Sequence, residues 1–127
     1  MTTNIEFKKG ILFVRLNGSF YNETLNVFES RVIPVILGMS LKRVNIDLKD
    51  VNFVDKSGID SIIKISNVVS RYDGKVVISG INDKLKLTLK NSDLFDYCFK
   101  AKSEKHSIGI FSIWARNILR WLKKVRD

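Results

Sequence analysis

The stretch Val51-Asn52-Phe53-Val54-Asp55-Lys56-Ser57-Gly58-Ile59-Asp60 joins two segments of different hydrophobic period. Upstream, Arg43 to Asp50 reads RVNIDLKD, with Val44, Ile46 and Leu48 alternating with polar residues as on a half-buried strand. Downstream, Ile59, Ile62, Ile63, Ile65 and Val69 recur every three or four residues, the spacing of a helix with one apolar side. The stretch therefore reads as a strand, an exit loop over Val51 to Val54, and a helix opened by Ser57-Gly58 and ended near Tyr72-Asp73-Gly74.

Working outward, Ile5 to Asn17 predicts two short strands about a Lys9-Gly10 turn, with Leu12, Val14 and Leu16 sharing a face. Asn22 to Gly38 carries Leu25, Phe28, Val32, Val35 and Ile36 at helical spacing. Pro34 predicts a kink there, because proline removes a backbone donor and crowds the preceding turn. Lys75 to Ser79 is a fourth strand, Gly80-Ile81-Asn82-Asp83 caps a third helix with Leu85, Leu87 and Leu89, and Tyr97 to Ala101 predicts a last short strand. The order ββαβαβα(β) predicts an α/β sandwich with one helical layer.

The chain of 127 residues is 45% hydrophobic and carries a single cysteine, Cys98, which predicts one domain without a disulfide framework. No apolar run approaches the roughly 20 residues of a membrane-spanning helix, and MTTNIEFKKG lacks the apolar core of a secretion signal. A cytoplasmic location is expected. The net charge is +9, of which +6 falls from Lys100 onward. Excess charge is thus concentrated in a short tail rather than spread over a nucleic-acid surface.

Nucleotide-binding glycine loops, HExxH and GxSxG are absent, and no Cys/His set has zinc spacing. No catalytic residues, metal or cofactor are expected. His106 reads as solvated and Cys98 as a small buried hydrophobe. Asp47, Asp50 and Asp55 lack the acidic pair after the first strand that a phospho-accepting aspartate site with magnesium needs, and read as solubilising and capping residues.

Ser57 has its own local chemistry. Serine at a helix start caps unsatisfied N–H groups, and the helix dipole there favours negative charge. Phosphate at this position would be tolerated by the fold, yet its charge of about −1.5 to −2 would disturb a partner docked on the turn.

Together, the element order and NFVDKSGIDSI resemble the STAS domain of anti-sigma factor antagonists over roughly residues 4 to 100. The resemblance implies a STAS-type mixed sheet. It also implies a binding module, not an enzyme, that captures a serine-kinase anti-sigma factor, is released when that kinase phosphorylates Ser57, and is reset by a phosphatase. The partner surface would comprise Asp55, Lys56, Ser57, Gly58, Asp60 and Ser61. The family usually reads D-S-S-G, so Lys56 is a departure that sets a cation beside the acceptor; Gly18 is also followed by no acidic residue before Glu23. STAS domains serve in lipid transporters and stress-signalling complexes too, so a docking subunit of a membrane-associated assembly is the alternative.

The domain is expected over 1–100, with a polar connector over 101–107 and a basic amphipathic helix over 108–127. On a helical projection Phe111, Trp114, Ala115, Ile118, Leu119, Trp121, Leu122 and Val125 share one arc, opposite Ser112, Arg116, Asn117, Arg120, Lys123 and Lys124. Three occupants of the apolar arc stay open: the domain's own sheet or a homodimer, an anionic membrane surface at its inner face, and a protein or nucleic-acid partner. Nucleic acid ranks last, because the tryptophans are segregated from the cations.

Overall fold

A computed structural model describes residues 1–126. Five strands lie in sequence order in one sheet: β1 (Thr2–Lys8), β2 (Ile11–Phe20), β3 (Arg43–Val54), β4 (Lys75–Ser79) and β5 (Phe99–Ala101). β1 is antiparallel to β2, and β2 through β5 run parallel. The β1–β2 turn is the two-residue loop Lys9-Gly10, both at positive φ (54° and 75°), the backbone that matches strand twist in a tight hairpin.

Each parallel step is bridged by helix: α1 (Leu25–Met39) after a 3₁₀ turn at Asn22–Thr24, α2 (Lys56–Ser70), then α3 (Asp83–Lys90) and α4 (Leu94–Tyr97). Parallel crossovers are right-handed, and strands added in one direction therefore place all their helices on one face. Phe28, Val32 and Ile36 of α1, Ile62, Ile65 and Val69 of α2, and Leu85, Leu89 and Leu94 pack there on Leu12, Val14, Leu16, Val44, Ile46 and Ile78. Pro34 lies inside α1 on its exposed side.

The other face is covered by a fifth helix, α5 (Glu104–Arg126). Ile11, Phe13, Val77 and Ala101 form a second, smaller core with Phe111, flanked by Ile108, Ile110 and Trp114. Burial on both faces accounts for the unbroken run Ile11 to Val14, all buried, where one-sided burial would show alternation.

Several expected boundaries shift, among them that of the last strand, which starts at Phe99 because Tyr97 ends α4. Val51 to Val54 is strand rather than exit loop, because two register shifts in the β2–β3 ladder let pairing continue to Phe20↔Val54. α5 starts at Glu104 rather than Ile108, since Glu104 and His106 complete a first turn and Ser107 is buried. The polar connector is reduced accordingly to Lys102-Ser103 between β5 and α5.

Candidate functional site

The candidate site is the turn from β3 into α2. Asp55 is extended (φ −105°, ψ −176°) and caps the helix: its Oδ1 accepts the Gly58 amide hydrogen at 2.9 Å. The same oxygen accepts the Ser57 hydroxyl hydrogen at 2.6 Å. Ser57 is thus not the cap, as the sequence suggested, but lies within the first turn. An ionised carboxylate two residues earlier takes the capping position, where the dipole favours negative charge. Burial pushes the Asp55 carboxyl upward, but the Ser57 hydroxyl and the backbone amides outweigh that and hold it below the usual carboxylate range.

Ser57 is half-buried and its neighbour Lys56 is exposed. First-turn amides have no partner within the helix and the dipole favours an anion carried on the serine, although Asp55 Oδ1 already takes the Gly58 amide. Asp55 opposes that attraction, because a phosphate on Ser57 would replace a hydrogen bond with a second negative charge beside it.

Gly58 fixes how closely this turn approaches β2. A Cβ built on it would lie 2.6 Å from the Phe20 carbonyl oxygen and 2.9 Å from Val54 Cγ2. Asp55 also donates its backbone N–H to the Phe20 carbonyl at 3.3 Å. Phe20 is clamped in turn by edge-on contact with Phe28, ring centroids 4.9 Å apart. The start of α2 is therefore seated on the end of β2, with Ser57 presented at the C-terminal pole of the parallel strands.

Of the other expected contact residues, Asp60 is exposed. Ser61 is not on the surface: it is 3% exposed, and its hydroxyl donates to Glu29 Oε1 of α1 at 2.9 Å. The helical turn that carries Ser61 faces α1, and Glu29 consumes its donor. Lys56, Ile59 and Asp60 instead line a groove of about 450 Å³ with Thr88, Asn91 and Asp93 of the α3 region.

Two apolar side chains, Phe53 of the strand exit and Leu87 among the leucines of the third helix, are exposed, at 52% and 70%. The signal for Leu87 was present: Leu85 and Leu89 are one turn apart and share a face, and the residue midway points away. Asn82 sets α3 beside the site, its Nδ2 donating to the Val51 carbonyl at 2.7 Å while its Oδ1 caps Lys84 at 3.0 Å.

Away from the turn, His106 is exposed and its Nδ1 accepts the Lys102 amide at 3.0 Å. Cys98 is buried, which pushes its thiol up to about 12. Among the described residues no group of three or more His, Cys, Asp or Glu is placed to hold a metal ion, and no helix is long and apolar enough to cross a membrane.

The tail residues divide. Phe111 is buried and Trp114 half-buried on the sheet, their rings 6.3 Å apart edge to face. Ile118 is half-buried, whereas Trp121 and Leu122 are exposed, as are Arg116, Arg120, Lys123 and Lys124.

Residues 2–107 match the STAS domain family. The chain belongs to the STAS domain family. An anti-sigma F factor antagonist of Paenibacillus polymyxa is 24% identical over 91 residues, covering 72% of this chain and 78% of that protein. The STAS fold is shared with an anti-sigma factor antagonist from Mycobacterium paratuberculosis, at a TM-score of 0.76 and 16% identity over 86% of this chain and 92% of that one. It is shared also with the Bacillus cell-fate determinant SpoIIAA in its phosphorylated form, at a TM-score of 0.64 and 13% identity over 82% and 95% of the two chains.

Proposed function

We propose that this STAS protein is an anti-sigma factor antagonist: a cytoplasmic binding module, without catalytic activity of its own, that engages a serine-kinase anti-sigma factor and is switched off by phosphorylation of Ser57. One observation carries the reading, the hydrogen bond from Ser57 Oγ to Asp55 Oδ1 at 2.6 Å. It fixes the hydroxyl hydrogen on the carboxylate and turns the oxygen's remaining lone pairs away from it, the orientation a phosphoacceptor needs towards an incoming phosphorus.

The surroundings fit a docking surface. Phe53 supplies apolar area, the groove beside Lys56 and Asp60 supplies relief, and the seated first turn of α2 supplies rigidity. Phosphorylation adds charge to the centre of that surface while leaving the buried core untouched, so binding is lost and the fold is kept. Lys56 partly offsets the added charge. The relatedness to the Paenibacillus polymyxa antagonist and the phosphorylated state of SpoIIAA support assigning the same chemistry here. A phosphatase acting on Ser57 would complete the cycle.

The test is affinity purification of wild type and Ser57→Asp from the native cell, followed by incubation of the captured proteins with ATP. Expected is a serine-kinase anti-sigma factor retained by wild type, lost with Ser57→Asp, and able to place phosphate on Ser57. Equal retention by both proteins, or phosphate on another residue, refutes the switch.

A further inference from the structure

α5 runs from the middle of the sheet out towards the N-terminal ends of its central strands. Its first turn is fastened mid-strand, where Glu104 accepts two hydrogen bonds from the Arg15 guanidinium, at 2.7 and 2.8 Å, and Glu6 accepts another at 2.9 Å. Three turns later Ala115 and Arg116 line a pocket with Lys9, Ile11 and Arg43, which mark the N-terminal starts of β2 and β3. Among the described residues, none beyond Arg116 is one of those packed on this face of the sheet or lining that pocket. Ser57 lies at the opposite, C-terminal end of β3.

The face that packs on the sheet does not stop where that packing ends. Ser107, Phe111, Trp114 and Ile118 follow one another at three- and four-residue spacing, and Trp121, Leu122 and Val125 continue the same stripe. Phe111 is 2% exposed, whereas Trp121 is 62% and Val125 64% exposed. From Lys105 to Arg126 the sequence holds no acidic residue. Among the described residues none of Lys9, Arg43, Arg116, Arg120, Lys123 and Lys124 forms an ion pair.

We infer that the part of α5 beyond that packing, residues 117–125, docks this protein on an anionic lipid bilayer. The stripe Ile118, Trp121, Leu122 and Val125 enters the headgroup boundary, and the cations of the opposite face are drawn to the anionic surface. Tryptophan among aliphatic residues, opposite a face of lysine and arginine, is the make-up of an interfacial helix. Cations clustered at one pole are drawn to a negatively charged leaflet. A second copy fits less well. The stripe beyond Arg116 is only about two turns long, too little for the roughly 1,000 Å² of a specific interface, and each copy would bring the same unpaired cations. Bilayer docking leaves the Ser57 pole facing away from the lipid, and it is independent of what that pole binds.

The test uses the full chain with vesicles of phosphatidylcholine alone or with about a third phosphatidylglycerol, read by co-sedimentation and tryptophan emission. Expected is binding to the anionic vesicles, at least about tenfold weaker to phosphatidylcholine alone, and weakened by salt. The double change Leu122→Ser with Val125→Ser loses binding about tenfold or more without moving the melting curve, since both side chains are exposed. Lys123→Glu with Lys124→Glu does the same. Ser57→Asp binds vesicles like wild type, so failure of the phosphoswitch and failure of lipid docking are separate results. No sedimentation with anionic vesicles, or binding that survives the serine changes, overturns the inference. So does a dimer in light scattering that those changes dissociate, which would give the stripe to a second copy.

Discussion

Ser57 gives its hydroxyl hydrogen to Asp55, Oγ to Oδ1 at 2.6 Å, while the same carboxylate oxygen caps α2 through Gly58 N. The proposed phosphoacceptor and the cap are therefore different residues, and they can be separated by mutation. Asp55→Ala removes the acceptor for both donors and is expected to lower stability by about 1 kcal/mol, within the range for lost helix caps. Ser57→Ala leaves the Asp55–Gly58 bond in place and should shift stability by less than about half that. Urea unfolding of the two variants checks the order. A Ser57→Ala loss equal to that of Asp55→Ala would return the capping role to the serine.

Gly58→Ala sets two known effects against each other. In an open helical turn alanine is favoured over glycine by about 1 kcal/mol. Here the added methyl would stand 2.6 Å from the Phe20 carbonyl and 2.9 Å from Val54, so the turn must lift off β2. Overpacking of this kind costs about 1–3 kcal/mol, and the expected net result is destabilisation with a lower Tm. Thermal unfolding decides by its sign.

Cys98 gives a reactivity prediction. Burial pushes its thiol up to about 12, so around pH 8 only roughly one thiol in ten thousand is ionised. Iodoacetamide at that pH should leave the native protein unlabelled and modify it fully in denaturant. Rapid labelling of the native form would mean that the α2–α4 contact, where Ser66 Oγ donates to the Tyr97 carbonyl at 3.0 Å, opens readily.

How far the sequence could be read follows from where each determinant sits along the chain. β4 falls on Lys75–Ser79 as expected, and the Lys9-Gly10 turn lies where its glycine put it, because alternation and turn chemistry are local signals. The cap of α2 was misassigned between two residues only two apart, since Asp and Ser are both good caps and geometry alone chooses. Ser61 shares its turn of helix with exposed Asp60, and only the position of Glu29 on α1 reveals that it is used internally. The anchoring of α5 was least legible, for Arg15 and Glu104 are 89 positions apart. A clue lay in β2, where Ile11 and Phe13 are as apolar as Leu12 and Val14 and so ask for a cover on both faces.

The α5 anchor makes stability depend on pH through two carboxyls of opposite tendency. Arg15 holds Glu104 below the usual carboxylate range, with some opposition from burial. A depressed folded-state pKa means stability that is full above the unfolded value near 4.3 and is lost as pH falls through the folded one. Asp47 is pushed the other way, first by burial and then by Glu104 beside it, against the Lys49 amide that its Oδ1 accepts at 2.9 Å. A raised folded-state pKa means stability present below about pH 3.9 and lost as pH rises through the folded value, so the Asp47 carboxyl costs stability at neutrality. Glu104→Gln should therefore destabilise at pH 7 by about 1–2 kcal/mol, the scale of a hydrogen bond to a charged group, with the deficit shrinking below pH 4. Asp47→Asn keeps an oxygen for the Lys49 amide and should stabilise at pH 7, with the gain vanishing in acid. Urea midpoints from pH 3 to pH 8 for the two variants check both signs, and parallel curves for either one would remove its carboxyl from the account.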